Sequence, residues 1–149
     1  METRTLHIAS EKETELLGGK IGRAAKPGMV VALIGDLGTG KTTLTKAIAR
    51  GLGVTETVTS PTFNIIREYK SGRIPLYHFD VYRIADPDEM FELGYEEYFY
   101  GDGICVVEWA DIIEELLPEE ALVIHIDRGV SEEEREYTIE GGVENTCIF

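Results

Sequence analysis

The eight residues Gly35-Asp36-Leu37-Gly38-Thr39-Gly40-Lys41-Thr42 reproduce the spacing G-x-x-x-x-G-K-[ST] without a departure. That spacing leaves few folds open. Such a loop wraps phosphate oxygens with its backbone N–H groups, so its glycines must permit close approach and positive φ. A helix has to begin at its end, with its N-terminus aimed at the anion. A buried strand has to lead into it. Both flanks qualify. Met29-Val30-Val31-Ala32-Leu33-Ile34 is a continuous apolar, β-branched run, the pattern of a strand covered on both faces. A helical pattern then runs from Lys41 to about Gly51, where Gly51 and Gly53 end it. Within the loop, the backbone of Leu37, Gly38, Thr39 and Gly40 surrounds the phosphates, and Lys41 reaches the β- and γ-phosphates as a point charge. Thr42 offers a hydroxyl to Mg²⁺, and Thr43 adds a contact to the α-phosphate.

The remaining sequence is consistent with one mixed α/β domain of three layers across residues 1–149, with a largely parallel central sheet. Leu6 to Ala9 reads as a short strand, and Ser10 with Glu13 has capping-box spacing at the head of a helix reaching about Ala25. Within that helix, Leu16-Leu17-Gly18-Gly19-Lys20 faintly resembles a transporter-ATPase signature, but it precedes the phosphate loop and is read as packing. Ile65–Tyr69 and Ile74–Val81 read as paired strands around a hairpin loop, Lys70 to Arg73. Two short acidic, aromatic helical pieces follow, from Asp86 and from Tyr95. Ile104-Cys105-Val106-Val107 is a second buried strand, then comes a short helix from Ile112 to Leu117, and strands at Ala121–Ile126 and Tyr137–Ile139.

Charge and cysteine content limit the function. Twenty-eight Asp and Glu against fourteen Lys and Arg give a formal charge of −14. Duplexes and tRNA are polyanions that need a basic face, so strong autonomous nucleic-acid binding is not expected. No apolar run has the length of a signal peptide or a membrane span, which points to the cytosol. Cys105 and Cys147 form no metal-type or redox pair in sequence, and Cys105 reads as a reduced core thiol.

A phosphate loop works with acids placed at the carboxyl ends of strands. Glu108 directly follows Ile104-Cys105-Val106-Val107, and Asp80 directly follows Leu76-Tyr77-His78-Phe79. In the loop Thr59-Ser60-Pro61-Thr62-Phe63, Thr62 is either a metal or γ-phosphate contact or part of a turn set by Pro61. His78 is either a support for Asp80 or strand packing, and Trp109 either core or a nucleotide contact. No Asn-Lys-x-Asp guanine-reading segment occurs, which favours ATP. The chain is too short for a ring ATPase. The rivals to a hydrolase are a small-molecule or protein kinase, although the scattered Arg67, Arg73, Arg83 and Arg135 form no evident lid, and a non-hydrolysing nucleotide sensor.

The phosphate loop with Thr43, then Ser60-Pro61-Thr62-Phe63, then Tyr77-His78-Phe79-Asp80-Val81-Tyr82-Arg83, then Val107-Glu108-Trp109, form an ordered set. In order and spacing it resembles the TsaE (YjeE) family of bacterial ATPases over nearly the whole chain, including Leu93-Gly94 and His125-Ile126-Asp127. Thr39 stands where a smaller residue is usual, a mild departure. The resemblance implies a role in forming threonylcarbamoyladenosine at position 37 of tRNAs that read codons starting with A. It implies work beside the TsaB and TsaD proteins, with tRNA met only through them, and an ATPase that is weak alone. It implies that Lys41 and Thr42 serve phosphate and Mg²⁺, and that Glu108 is the metal-side acid. It makes Asp80 a catalytic or nucleotide-positioning acid and Thr62 part of a switch-like loop. It sets Glu11 and Arg135 beside the nucleotide. Acidity would then suit a protein that competes for a basic tRNA-binding surface on a partner.

Overall fold

The computed structural model describes residues 2–36, 38, 40–61 and 64–141. Seven strands form one sheet: β1 (Glu2–Ile8), β2 (Val30–Ile34), β3 (Ile66–Tyr69), β4 (Leu76–Asp80), β5 (Ile104–Glu108), β6 (Leu122–Arg128) and β7 (Arg135–Gly141). Their spatial order is β1-β7-β6-β2-β5-β4-β3. The central four, β6-β2-β5-β4, are parallel, while β3, β7 and β1 join antiparallel at the flanks. The helices are α1 (Glu11–Ala24), α2 (Lys41–Leu52), α3 (Asp88–Leu93) and α4 (Tyr95–Phe99), with a 3-10 helix over Ala110–Leu116.

The period of two in β2 builds the layers. Val31 and Leu33 face a core formed with Leu17 and Ile21 of α1 and Leu44 and Ile48 of α2. Val30 and Ala32 face the opposite core, with Phe79, Met90 of α3, Phe99 of α4 and Ile113. Helices therefore cover both sheet faces, and the apolar run at 29–34 is buried on both sides as expected. Each fully buried large apolar side chain adds about 1.5–3 kcal/mol to this packing.

The terminal strands run further than the sequence suggests. β1 starts at Glu2 and β7 spans seven residues, because the two pair along their whole length from Glu2–Gly141 to Ile8–Arg135. Backbone pairing lets polar residues extend a strand whose apolar signal is short. Ser10 makes no side-chain cap, and Glu13 instead accepts from the Ala9 N–H at 3.1 Å. The piece after Trp109 is a 3-10 helix and starts two residues earlier than expected.

Two details fix α1 against α2. Gly18 and Gly22 let the helices approach so closely that an added Cβ would lie 2.3 Å from Ala47 Cβ or from the Ile48 carbonyl oxygen, respectively. The Gly18-Gly19 segment is thus packing. At the far end of α1, Arg73 in the β3–β4 hairpin donates to the carbonyls of Gly22, Arg23 and Ala25 at 2.9, 3.1 and 2.9 Å. These are groups that a helix C-terminus leaves unpaired. Cys105 is buried, its thiol held protonated by the cost of placing a thiolate there, and Cys147 lies outside the described residues. No helix among the described residues is long and apolar enough to cross a membrane.

Candidate functional site

Sheet register assembles the site. Leu33 of β2 pairs with Glu108 of β5, and Glu108 pairs in turn with Asp80 of β4. The three parallel strands end level, so both acids stand at the carboxyl edge, where β2 gives way to the loop at Gly35. Paired residues of a sheet share a face. Asp80, Glu108 and Leu33 therefore project toward the layer that contains α2.

The loop returns over this edge. Gly38 and Gly40 have φ of 79° and 99°, a region costly to residues with a Cβ. α2 begins at Lys41 immediately after Gly40. Lys41 Nζ donates to the carbonyls of Gly35 and Asp36 at 2.6 and 2.8 Å. It also lies 4.0 Å from the centre of the Trp109 ring. Burial lowers the Lys41 pKa, and the charges of Glu108, Asp36, Asp80 and Asp111 oppose that shift. Trp109 itself adopts φ 62°, and its ring packs on Tyr82 with centroids 4.7 Å apart. It is a lid over the lysine rather than part of either core's centre.

Glu108 is 3% exposed and bound on both sides. Its Oε1 accepts from the Thr42 hydroxyl at 3.1 Å. Its Oε2 lies 2.5 Å from His78 Nε2 and 3.4 Å from the Thr45 hydroxyl. Asp80 is more open. Ser60 donates to its Oδ2 at 2.9 Å, and the Tyr82 N–H donates to its Oδ1 at 3.1 Å. Ser60 thereby ties the segment after α2 to the acid at the end of β4.

A cavity of about 400 Å³ opens between these groups, lined by Gly38, Gly40, Lys41, Thr42, Thr43, Asp80, Glu108 and Arg135 together with Ser60 and Trp109. Glu11 is not on it. It lines an adjoining cavity of about 140 Å³ that shares Gly40, Thr43 and Arg135. Arg135 bridges the two, its Nη2 lying 3.4 Å from the Gly38 carbonyl. Leu37, Thr39 and Thr62 lie outside the described residues. Sequence reasoning passed over Thr45, which stands four residues after Lys41 and also donates to the Lys41 carbonyl at 2.9 Å. It also passed over Ser60 in favour of its neighbour Thr62. No spacing rule singles out Ser60; its contact with Asp80 is read from the structure alone.

The donor set at Thr42 and Glu108 is chemically suited to Mg²⁺. A hydroxyl and a carboxylate supply hard oxygens, and that ion is typically held by one or two carboxylates together with substrate phosphates. Among the described residues no cluster of three or more acidic, histidine or cysteine side chains forms a dedicated metal cage.

A glycine-rich loop between a central parallel strand and a helix, with level acids on the neighbouring strands, defines a phosphate-loop α/β protein. Within that class the match is specific. The profile of the family described as "Threonylcarbamoyl adenosine biosynthesis protein TsaE" matches residues 8–137. The chain is 54% identical over 127 residues to the tRNA threonylcarbamoyladenosine biosynthesis protein TsaE of Bacillus subtilis, covering 85% of this chain and 78% of that one. It is 42% identical over 130 residues to the protein of the same name from Treponema pallidum, covering 87% and 95%. The crystal structure of Bacillus subtilis YdiB superposes with a TM-score of 0.84 at 44% identity, covering 99% of this chain and 91% of that chain. The chain belongs to the TsaE family.

Proposed function

We propose that this chain binds ATP with Mg²⁺ in the cavity under the phosphate loop and hydrolyses it, in the cytosol, during formation of threonylcarbamoyladenosine at position 37 of tRNAs reading A-starting codons. The observation that carries the reading is the single cavity lined by Lys41, Thr42, Asp80 and Glu108. Lys41, with the backbone N–H groups of Gly38 and Gly40, binds phosphate oxygens. Thr42 and Glu108 hold the ion, which when bound neutralises charge developing on the transferred phosphoryl group. Asp80, restrained by Ser60 and by the Tyr82 N–H, orients a water or the phosphates. Glu11 and Arg135 flank the remainder of the nucleotide along the side cavity.

Hydrolysis of this kind is mostly positioning and electrostatics, so a missing cation costs much. We assign that shortfall to partners, the TsaB and TsaD proteins, and a weak turnover to the isolated chain. A formal charge of −14 fits a protein that meets tRNA through those partners. Phosphate release from ATP is to be measured with and without the TsaB–TsaD complex. Stimulation that vanishes in Lys41→Ala is the expected result. Equal release in both conditions removes the partner-driven reading, and a phosphorylated acceptor in place of free phosphate turns it into a kinase.

A further inference from the structure

His78 sits at the middle of β4 with no exposed surface. Its strand neighbours across the sheet are Arg67 of β3 and Val106 of β5. An imidazole buried there loses its water, and such a loss is tolerated only against a specific partner. The ring has one hydrogen bond, from Nε2 to Glu108 Oε2 at 2.5 Å, while Nδ1 has no partner among the described residues. A carboxylate only accepts, so the proton of this bond is on Nε2.

The two oxygens of Glu108 are thereby assigned different work. Oε2 is held by His78 and lies 3.4 Å from the hydroxyls of both Thr45 and Thr42, whereas Oε1 is the oxygen nearer Thr42, at 3.1 Å, on a residue that lines the cavity. We infer that His78 is a positioning residue that fixes the rotation of the Glu108 carboxylate, so that one oxygen is presented beside the Thr42 hydroxyl to the nucleotide-bound cation. It rests on the reading of Glu108 as the metal-side acid. Hydrogen bonds to the far oxygen of a liganding carboxylate are a general means of orienting it, and their loss typically costs about 10–100-fold in metal affinity or activity.

The test is the Mg²⁺ dependence of ATP affinity in the full chain, measured by calorimetry across a Mg²⁺ titration and in EDTA. His78→Leu keeps the site apolar and similar in volume but removes the N–H. The expected result is a 10- to 100-fold rise in the Mg²⁺ concentration needed for half of the ATP tightening, with affinity in EDTA unchanged. His78→Gln, which returns an N–H near the position of Nε2, restores it to within a few-fold. Should His78→Leu not fold, His78→Asn replaces it, since its shorter amide falls short of Glu108. A purely structural role predicts loss of thermal stability with an unaltered Mg²⁺ titration, and that result overturns the inference. Glu108→Gln separates the two layers of argument. If it shifts the Mg²⁺ titration and the His78 variants do not, the inference alone fails; if Glu108→Gln leaves the titration where it was, the metal-side role of Glu108 fails and the inference with it.

Discussion

Two glycines three positions apart on α1 should respond to the same substitution with opposite signs. A methyl group on Gly22 would lie 2.3 Å from the Ile48 carbonyl oxygen and 2.8 Å from two backbone atoms of Gly51. All three belong to α2 backbone and cannot turn aside. Normal carbon contacts need about 3.5–4.0 Å, so the helices must part by about 1 Å. Overpacking of a rigid core costs about 1–3 kcal/mol, and this geometry belongs at the upper end. Alanine recovers about 1 kcal/mol of helix propensity. The net for Gly22→Ala is a loss of about 2 kcal/mol, or a Tm fall of about 4–8 °C at this chain length. A methyl on Gly19 meets only the end of the Arg23 side chain, at 3.0 Å. That group can move, so Gly19→Ala keeps the propensity gain of about 0.5–1 kcal/mol and raises Tm by a few degrees. Thermal and urea unfolding followed by circular dichroism read both. Because α2 opens with Lys41 and Thr42, Gly22→Ala should also weaken ATP binding. A Gly22→Ala protein as stable as its parent would refute the close helix crossing and the reasoning built on it.

Lys41→Ala should weaken ATP by roughly 10- to 100-fold, since charge-assisted contacts contribute about 1.5–3 kcal/mol; unchanged affinity by calorimetry would remove Lys41 from the phosphate site. Arg73→Ala, which frees three carbonyls at the end of α1, should lower stability by about 1 kcal/mol at this exposed position, with Arg73→Lys recovering only part. A urea midpoint that does not move would contradict that capping role. Burial raises the pKa of Tyr95 above its ordinary 10.0. The folded chain then holds this proton more tightly than the unfolded chain, so its share of stability is intact below pH 10 and is lost as pH climbs past it. Tyr95→Phe should accordingly move the alkaline unfolding midpoint upward, and an identical midpoint would deny the shift.

The loop, the strand before it and the helix after it are legible in the sequence because each carries a local signal: glycines at positive-φ positions, a two-sided apolar run, and a break at Gly53. Asp80 and Glu108 stand out in the sequence for the same reason, each closing an apolar run, and the register sets them side by side. The full extents of β1 and β7 were hidden, because their polar residues are held by pairing with each other rather than by burial. The tie between Ser60 and Asp80 spans twenty positions. The role of His78 was also ambiguous in sequence, since a histidine two places before an acid looks alike whether it packs a strand or grips a carboxylate on the next one. Long-range partners of that kind leave no periodicity to read.

The order of the sheet carries a consequence for how the molecule is made. β2, the strand that feeds the phosphate loop, has β5 on one edge and β6 on the other. On a ribosome adding residues at 5–20 per second, β5 arrives roughly 70 residues and about 4–14 s after β2. Through that interval Val30-Val31-Ala32-Leu33-Ile34 has two unpaired edges and its apolar side chains lack half their cover, the kind of segment chaperones bind. Glu108 is the last residue of β5, so the loop and its lysine are synthesised well before the acid they face. The glycine-rich motif is therefore complete early in translation, while the cavity it lines closes only when most of the chain has emerged.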